Sequence, residues 1–324
     1  MKKKKVSIIM PVYNSALYLD NTINSIIRQT FSDFELIIVD DCSTDNSVHI
    51  INNYCLQNSN IKLIECTNNG GQSRARNMAI QYAIGEYIYF MDSDDILPQG
   101  AIEVLVNEIE TGNYDIVIGD VRTIGVANEK LYSTRCVSSE IYTNNNDIIN
   151  RYTKVGWCVA PWAKLFSKNF LLTHNIQFKE GIILEDELFT FTYVYYAQKV
   201  KIIPDIVYDY YIRGNSTMTQ KISVKHLNGM RGDIEGMKAI LSGNYSSPLT
   251  SCIITMSYRL AETVLLGDFK SEIKEKYLLF LEAEVTFPII LRSPKFGITK
   301  VVKSIMFLLP MKLWYMYIKM LGRA

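Results

Sequence analysis

Short apolar runs alternate with segments of helical periodicity over the first 95 residues of the chain. Their separation matches that of βαβ units, in which a strand is followed by a helix and then by a parallel strand. We therefore predict an α/β fold with a mostly parallel sheet flanked by helices. The predicted strands lie at residues 6–10, 35–39, 61–64 and 87–91.

Helices are predicted between these strands. The first two each place apolar side chains on one face, which suits packing against a sheet. The second is expected to begin with Asp45 as its N-cap. The third is predicted over residues 72–84 and is expected to end at Gly85, a residue that tolerates the left-handed conformation. The apolar face of the first helix consists of Leu19, Ile23, Ile26 and Ile27.

The periodicity loosens beyond residue 100. A helix at residues 101–110 and a strand at residues 115–119 are the clearest elements there. From residue 222 onward the period is mainly helical, with helices expected at 250–266 and 272–285 and no returning strand. We therefore predict a C-terminal helical appendage that begins near residue 220.

Charge and cysteine content narrow the functional classes. The chain has 34 basic and 33 acidic residues, so it lacks the positive field of a dedicated nucleic-acid binder. Its 6 cysteines form no Cys-x-x-Cys pair, and we expect them to be reduced thiols of a cytoplasmic protein. The lysines after Met1 lead directly into the first predicted strand, which is not the pattern of a signal peptide.

Polar side chains follow three of the predicted strands. Tyr13 follows the first strand, Asp40 and Asp41 end the second, and an acidic loop at residues 92–95 follows the fourth. Ligands bind beyond the carboxyl ends of open parallel sheets, so we expect these residues to share a site. A divalent cation would relieve the repulsion among the carboxylates and would bind phosphate oxygens at its open positions. The alternative is that each loop caps a helix or solvates a turn.

Residues 7–14, 35–45 and 89–95 contain these strand ends in a fixed order. They resemble the successive motifs of family 2 glycosyltransferases of the GT-A fold, a Rossmann-like nucleotide-binding fold. The resemblance extends over residues 5–220 with the spacing preserved. Cys42 stands where that family usually has glycine, and we expect this difference to change the turn geometry only mildly.

The resemblance implies a donor site for a nucleoside diphosphate sugar. Tyr13 offers a stacking face for the base, and an aspartate can accept the imide proton of uracil. Asp92 and Asp94 match the family's Asp-x-Asp motif and are implied to hold Mn²⁺ or Mg²⁺, with Asp94 bound to the metal directly. The donor-site residues implied in this way are Pro11, Tyr13, Asp40, Asp41, Arg76, Asp92, Arg213 and Ser216.

A second carboxylate pair, Glu185 and Asp186, resembles the family's Glu-Asp motif. Inverting transfer needs a base that takes the proton of the acceptor hydroxyl, and a buried aspartate with a raised pKa suits that role. We predict Asp186 as the base and Glu185 as the neighbour that positions it or the acceptor. The same residues also fit a helix N-terminus, where acidic side chains face the helix dipole, and the two interpretations are compatible.

Two further segments resemble stretches of the same family. Within residues 157–166, which match the segment under the acceptor site, Trp162 is interpreted either as a platform for a sugar or as a core residue. Within the late loop at residues 208–218, Arg213 is implied to stabilise charge on the leaving diphosphate. Ser216 is implied to donate a hydrogen bond there.

The end of the chain is basic and amphipathic. Residues 296–323 mix apolar clusters with lysines and contain no acidic residue. No apolar run approaches the roughly 20 residues that a spanning helix needs. This tail suits the cytosolic surface of an anionic bilayer, and the alternative is a helix packed on the catalytic domain.

These features predict an inverting, metal-dependent glycosyltransferase at the inner face of the cell membrane. It is expected to move a sugar from a nucleoside diphosphate, with UDP as the expected carrier, to a hydroxyl of a glycan or lipid-linked glycan in polysaccharide synthesis. The predicted domains are a GT-A catalytic domain at residues 1–220, with a nucleotide-binding half at 1–100 and an acceptor half at 101–220, and a helical region at 221–324.

Other functional classes stay open from the sequence alone. One alternative is a nucleotide-sugar or glycan-binding protein without turnover, against which both carboxylate motifs argue. Another is a nucleotidyltransferase, which should carry a glycine-rich, basic signature after the first strand. The chain has Pro11, Val12, Tyr13 and Asn14 there, and the Gly-x-Gly-x-x-Gly pattern of a dinucleotide-dependent oxidoreductase is also absent.

Overall fold

The computed structural model describes residues 4–125, 132–134, 136–212, 221–286, 289–290 and 303–321. Within these residues an 8-stranded sheet has the order β3-β2-β1-β4-β7-β5-β8-β6. The strands are β1 (Val6–Val12), β2 (Phe34–Asp40), β3 (Ile61–Glu65), β4 (Tyr87–Phe90), β5 (Ile116–Ile124), β6 (Glu140–Tyr142), β7 (Lys164–Ser167) and β8 (Val200–Tyr211).

The first four strands form a parallel half-sheet. β1 pairs with β2 and β4, and β2 pairs with β3, all in parallel. β7 then joins β4 and β5 in antiparallel pairing, β8 runs parallel to β5, and β6 is antiparallel to β8. The predicted α/β fold with a mostly parallel sheet is therefore confirmed.

Some of the helices pack against the sheet, and the others form a helical region of their own. Every residue of β1 and β2 is buried, which explains why these strands are continuous apolar runs. The helices are α1 (Ala16–Ile27), α2 (Ser47–Gln57), α3 (Gln72–Tyr82), α4 (Ala101–Gly112), α5 (Asn145–Lys154), α6 (Lys168–Thr173), α7 (Glu185–Tyr196), α8 (Val224–Leu241), α9 (Thr250–Leu266), α10 (Ser271–Glu284) and α11 (Trp314–Leu321).

Helix α1 packs on the core as predicted. Leu19, Ile23 and Ile26 are buried in the same hydrophobic cluster as the first strands, and Ile27 packs against that cluster. Two predicted helix ends are wrong. The N-cap of α2 is Asn46, although the Asp45 carboxylate accepts the N–H of Ser47 at 2.9 Å.

The other wrong helix end is that of α3. It ends at Tyr82, followed by Ala83 in an extended conformation, so Gly85 is not a left-handed cap. A side chain at Gly85 would instead place a Cβ atom 2.5 Å from the backbone nitrogen of Ser7. Glycine is therefore required there for close packing of the chain beside β1.

Strands β6, β7 and β8 were not predicted from the sequence pattern. β8 contains Pro204 and a stretch of exposed residues in its middle, and its register with β5 shifts near Asp120. β7 begins with Lys164, which is buried although lysine normally marks an exposed position. The residues at 208–211, expected in a loop, form the end of β8.

The chain divides into two compact units. The first, Met1–Ile148 with Gly156–Gly181 and Tyr196–Gln220, contains the whole sheet. The second consists of Ile149–Val155, Ile182–Tyr195 and Lys221–Ala324. In the second unit α8, α10 and α11 pack against α9. The predicted functional division at residue 220 stays a prediction.

The described part of the tail is a folded part of the second unit. Trp314 is buried, donates its indole N–H to the carbonyl of Leu309 at 2.9 Å and packs edge-on against Phe307. Met306 and Ile318 are buried as well. None of the helices in the described residues is long and apolar enough to span a membrane.

Candidate active site

The loops after β1 and β2 lie side by side at the carboxyl edge of the sheet. Val12 and Asp40 are partners in the parallel register, and Pro11 is buried within β1. Asn14, in the left-handed conformation, accepts the N–H of Thr44 at 2.8 Å through its side-chain oxygen. This bond ties the two loops together, and the neighbouring Tyr13 is 51% exposed.

Asp40 is a buried carboxylate with one unsatisfied oxygen. The N–H of Ser43 donates to its Oδ2 at 3.0 Å, whereas Oδ1 is buried without a hydrogen-bond partner among the described residues. A buried carboxylate oxygen is costly when it accepts no hydrogen bond. This oxygen therefore marks a position where an N–H or O–H group of a ligand would be favoured.

Cys42 lies in the same loop with a φ of 67°, in the left-handed region. An L-residue there carries a steric cost of about 1–2 kcal/mol that glycine avoids. The turn is thus retained with cysteine in place of glycine, at an energetic cost to the fold.

Asp41 holds a neighbouring loop. Its Oδ1 accepts the N–H of Gly70 at 2.8 Å and its Oδ2 accepts the N–H of Gly71 at 2.7 Å. Gly71 has a φ of 83°, so the sharp turn into α3 needs glycine. The Asp41 carboxylate orders this turn, and the nucleoside contact expected for it stays a prediction.

Arg76 is a buried residue of α3 that fixes Asp92. Its guanidinium donates to Asp92 Oδ1 at 2.9 Å and lies over the ring of Phe178 at 5.1 Å from the centroid. The side chain of Asp92 is 29% exposed. The structure therefore brings together two of the predicted donor-site residues, with Arg76 in a supporting position.

The acidic loop at residues 92–95 is fastened to α1. The hydroxyl groups of Ser15 and Ser93 are 2.7 Å apart, and the hydroxyl of Thr22 donates to the carbonyl of Asp95 at 2.8 Å. Asp94, between these anchored residues, is half-buried and lines a pocket. The loop is therefore a preformed element of the fold.

Asp95 faces the interior of the first unit. Burial, and then the neighbouring charges of Asp92 and Asp94, raise its pKa to about 8. Its two oxygens accept the hydroxyl of Tyr208 and the N–H of Tyr211, each at 2.8 Å. Asp95 is thus a structural partner of β8. The sequence interpretation missed Tyr208, which was assigned to a loop.

Asp92 and Asp94 of this loop are the residues predicted to hold a divalent cation. Among the residues that the structure describes, no group of three or more His, Cys, Asp or Glu side chains is arranged to hold a metal ion. Asp95 is engaged with β8, which leaves Asp92 and Asp94. Mg²⁺ is commonly held by one or two carboxylates together with substrate phosphates, so these residues fit an ion that arrives with a diphosphate.

A pocket of about 460 Å³ opens beside Asp94. It lies between one face of α1, the segment after Asp94 and the end of β8. Its lining includes Tyr18, Asn21, Ser25, Arg28, Asp94 and Tyr211.

The predicted Glu-Asp pair lies in the second unit. Glu185 is buried and Asp186 is half-buried in the first turn of α7, so the predicted helix start is confirmed. Leu184, just before them, has a φ of 70°. Burial raises the pKa of Glu187, although the guanidinium of Arg259, 3.4 Å away, opposes the shift. The role of Asp186 as base stays a prediction.

Trp162 is part of the core. It is 4% exposed and stacks on Tyr208 with ring centroids 4.7 Å apart and an interplanar angle of 7°. The interpretation of Trp162 as an exposed sugar platform is therefore wrong, and the core alternative holds. Arg213 and Ser216 lie outside the described residues.

A mostly parallel sheet with carboxylates and a glycine turn at its carboxyl edge is typical of α/β proteins that bind a ligand beyond the strand ends. The model of the family described as Glycosyl transferase family 2 matches residues 7–171, and the chain belongs to that family.

Two relatives and one solved structure illustrate the similarity. Glycosyltransferase GlyG of Streptococcus pneumoniae is 29% identical over 280 residues, which cover 83% of this chain and 89% of that protein. Poly(ribitol-phosphate) beta-glucosyltransferase of Bacillus spizizenii is 35% identical over 214 residues, covering 64% of this chain but only 32% of that protein. This chain thus matches about a third of the length of the second relative.

The crystal structure of S. aureus TarS 1-349 in complex with UDP-GlcNAc superposes with a TM-score of 0.78 at 19% identity. The superposition covers 98% of this chain and 92% of that chain. At this identity the likeness concerns the fold alone, and it confirms the predicted GT-A fold.

Proposed function

We propose that the protein transfers a sugar, with inversion, from a UDP-sugar to a hydroxyl group of a cell-surface polymer or of its lipid-linked precursor. Family membership supplies the reaction class. The poly(ribitol-phosphate) relative and the UDP-GlcNAc complex of a protein with the same fold support the acceptor and donor classes. The observation that carries the proposal is the buried, unsatisfied Oδ1 of Asp40, which pairs in register with Val12, the residue before exposed Tyr13.

Asp40 and Tyr13 together suit a uracil base. The imide N–H of uracil would satisfy the buried oxygen of Asp40, while the ring of Tyr13 supplies a stacking face. Cytosine carries an acceptor, N3, in place of this imide N–H, so its hydrogen-bonding edge would match Asp40 less well. We therefore expect UDP to bind more tightly than CDP.

Asp92 and Asp94 are proposed to hold Mn²⁺ or Mg²⁺ together with the donor diphosphate. When bound, the ion would neutralise charge on the diphosphate. Because the protein offers few ligands of its own, metal and UDP should each strengthen the other's binding. Titration of Mn²⁺ with and without UDP tests this, and we expect at least about tenfold tighter binding in the presence of UDP. Equal Mn²⁺ affinity with and without UDP would argue against Asp94 as a metal ligand.

Asp186 is proposed to act as the base, supported by its position in the first turn of α7 beside buried Glu185. The carboxylate would take the proton of the acceptor hydroxyl as that oxygen bonds to the anomeric carbon. The bond from this carbon to the diphosphate breaks, and UDP leaves with the electron pair. Arg213 and Ser216 are proposed contacts of the departing diphosphate.

UDP release from a panel of UDP-sugars, with and without acceptor, tests the function. Asp40→Asn should weaken UDP binding about tenfold, since the site loses its charged acceptor. Asp33→Asn, an exposed carboxylate on the same unit, is the matched control.

Asp186→Asn should keep UDP affinity but lower transfer roughly 100- to 10,000-fold. Binding without any turnover in the parent protein would favour the non-catalytic alternative.

The tail is proposed to contact the cytoplasmic face of an anionic membrane. Buried Trp314 fixes α11, while Met316 and Met320 are exposed at 68% and 60% and Lys312 and Lys319 lie nearby in the sequence. Exposed apolar side chains between lysines suit a negatively charged lipid surface.

Sedimentation with anionic vesicles tests this proposal. Met316→Ser with Met320→Ser should reduce binding at low salt. Leu279→Ser, which removes a 49% exposed apolar side chain of α10, is the control. Binding that is unchanged by the double substitution would exclude α11 as the contact.

A further inference from the structure

The pocket beside Asp94 is a feature to which the donor site assigns no role. One wall is a stripe of α1 that carries Tyr18, Asn21 and Ser25 at the spacing of successive helical turns and ends at the C-cap residue Arg28. From Tyr18 to Arg28 this stripe extends ~15 Å along the helix, which exceeds the size of one monosaccharide. The pocket is therefore elongated along α1.

The first wall is fixed to the acidic loop by hydrogen bonds. The Thr22 hydroxyl donates to the carbonyl of Ser93 at 3.2 Å as well as to that of Asp95. Ser25 Oγ accepts the N–H of Leu97 at 3.1 Å. The side chain of Gln29 donates to the carbonyl of Pro98 at 2.8 Å. These bonds hold α1 beside the segment that carries Asp94.

The opposite wall is fixed as well. The N–H of Tyr211 donates to Asp95 Oδ1, and Ile96 forms a β-bridge with Asp209. Both walls are thus bonded to the same short segment after β4. The pocket is preformed, which lowers the cost of ordering a bound ligand.

The lining has the chemistry of a site for a polar, anionic chain. Tyr18 and Tyr211 contribute aromatic side chains to the lining, and the exposed residue Asn21 contributes an amide donor and acceptor. The Arg28 guanidinium is exposed and forms no ion pair with the described carboxylates. Arginine is the side chain best suited to paired hydrogen bonds with a phosphate group.

The two ends of the pocket differ in charge. Arg28 lies beyond Thr22 by ~9 Å of helix, while Thr22 is bonded to the loop that contains Asp94. An anionic group is favoured at the Arg28 end and disfavoured at the Asp94 end. A neutral hydroxyl would therefore face Asp94 and the donor.

We propose that this pocket is the acceptor subsite and that it takes a polyol or sugar chain carrying phosphodiester groups, with Arg28 paired to a phosphate. The proposal rests on the transferase function proposed above and narrows its acceptor from a surface polymer in general to a phosphate-bearing one.

Acceptor kinetics test the subsite. Arg28→Gln should raise KM for a ribitol-phosphate oligomer about tenfold, which corresponds to the loss of one charge-assisted hydrogen bond. An unphosphorylated oligomer of the same length should show no such change. Raising the ionic strength should increase KM for the phosphorylated oligomer in the parent protein but much less in Arg28→Gln. Lys199→Gln removes an exposed charge elsewhere on the first unit and serves as control.

A steric variant provides independent support. Asn21→Trp should fill the pocket and raise KM for the phosphorylated oligomer, whereas Leu17→Trp, on the same helix but outside the lining, should not. The dissociation constant for the UDP-sugar, measured separately in each variant, reports whether the donor site is intact.

The outcomes separate the two proposals. If KM for the phosphorylated oligomer is the same in the parent, Arg28→Gln and Asn21→Trp proteins, the subsite is refuted while the transferase function stands. If no nucleotide sugar is consumed, the transferase function fails. Direct titration with the oligomer then decides the pocket, which is supported if binding depends on Arg28 and overturned if it does not.

Discussion

The hydroxyl group of Tyr208 bridges two parts of the acidic loop. It donates to Asp95 Oδ2 at 2.8 Å and accepts the N–H of Asp92 at 3.2 Å. Because Asp94 lies between these two residues, the end of β8 sets the shape of the loop proposed to bind the metal and the diphosphate. The geometry of this proposed binding loop thus depends on a tyrosine of the core.

Replacing Tyr208 should therefore affect stability and donor binding together. Tyr208→Phe leaves two buried polar groups with one partner fewer, and we expect a loss of about 1–2 kcal/mol in the free energy of unfolding. Urea unfolding measures this loss, and UDP affinity should fall in the same variant. Tyr210→Phe is the control, since Tyr210 packs against Trp162 and Tyr132 through its ring. Equal stability of the two variants would argue against the bridge.

Glu35 gives a prediction about pH. It is buried in β2, where burial alone would raise its pKa, but hydrogen bonds from Lys62 at 2.7 Å, Ser7 at 2.6 Å and the N–H of Ile84 at 2.7 Å outweigh burial and hold the pKa below 4.5. A carboxyl group whose pKa is lower in the folded protein than in the unfolded chain stabilises the fold at pH values above the unfolded-state pKa. That contribution disappears as the pH falls through the lower folded-state value.

Glu35→Gln should accordingly lower the free energy of unfolding by about 1–3 kcal/mol at pH 7. The difference from the parent protein should shrink as the pH falls below 4.5, because the unfolded chain then binds the proton first. It should disappear below the folded-state pKa, where the carboxylate of the folded parent is protonated too. Urea unfolding at a series of pH values measures it. Glu65→Gln, at the exposed end of β3, should be close to neutral at pH 7. A difference that is constant with pH would contradict the assignment.

Cys42 offers a substitution that should stabilise the fold. Glycine relieves the left-handed strain of about 1–2 kcal/mol but costs roughly 0.5–1 kcal/mol through the entropy of the unfolded chain. We expect Cys42→Gly to gain about 0.5–1 kcal/mol in thermal or urea unfolding. Cys42→Ala keeps the strain while removing the thiol, and it should show no gain. A gain in both variants would assign the effect to the thiol.

The parallel half of the sheet could be predicted from sequence because it is buried on both faces. Continuous apolar runs such as those of β1 and β2 leave little ambiguity. Strand β7 could not be predicted, because its Lys164 satisfies its ammonium group deep in the protein by donating to the carbonyls of Cys158 and Ala160. A rule that places lysine at the surface fails when the backbone supplies such partners.

The sequence predicts which residues belong to the candidate site but not what each of them does. The motif residues Asp40 and Asp41 are adjacent and identical in chemistry, yet one has a buried unsatisfied oxygen and the other holds the Gly70 and Gly71 amides. Only the direction of each side chain separates them. The role of Tyr208 could not be predicted from the sequence either, because its hydrogen bonds join positions more than 100 residues apart.

The position of the predicted base depends on close helix packing in the second unit. A Cβ atom at Gly229 of α8 would lie 2.1 Å from the carbonyl oxygen of Ile183, two residues before Glu185. Because this atom belongs to the backbone, it can move away only if the chain that enters α7 moves with it. At Gly236, a Cβ atom would meet only the end of the Leu188 side chain, at 2.5 Å, which can change rotamer.

Gly229→Ala should therefore destabilise the protein by about 1–3 kcal/mol, the usual cost of overpacking, and should lower the transfer rate more than UDP affinity. Gly236→Ala is the matched control. There the gain in helix propensity of about 1 kcal/mol offsets the crowding, so its stability should be near that of the parent. Urea unfolding, transfer kinetics and UDP titration on both variants decide the matter. If Gly229→Ala transfers sugar at the parental rate despite its lower stability, the entry to α7 does not govern the position of Asp186, and the proposed base must be sought on another element.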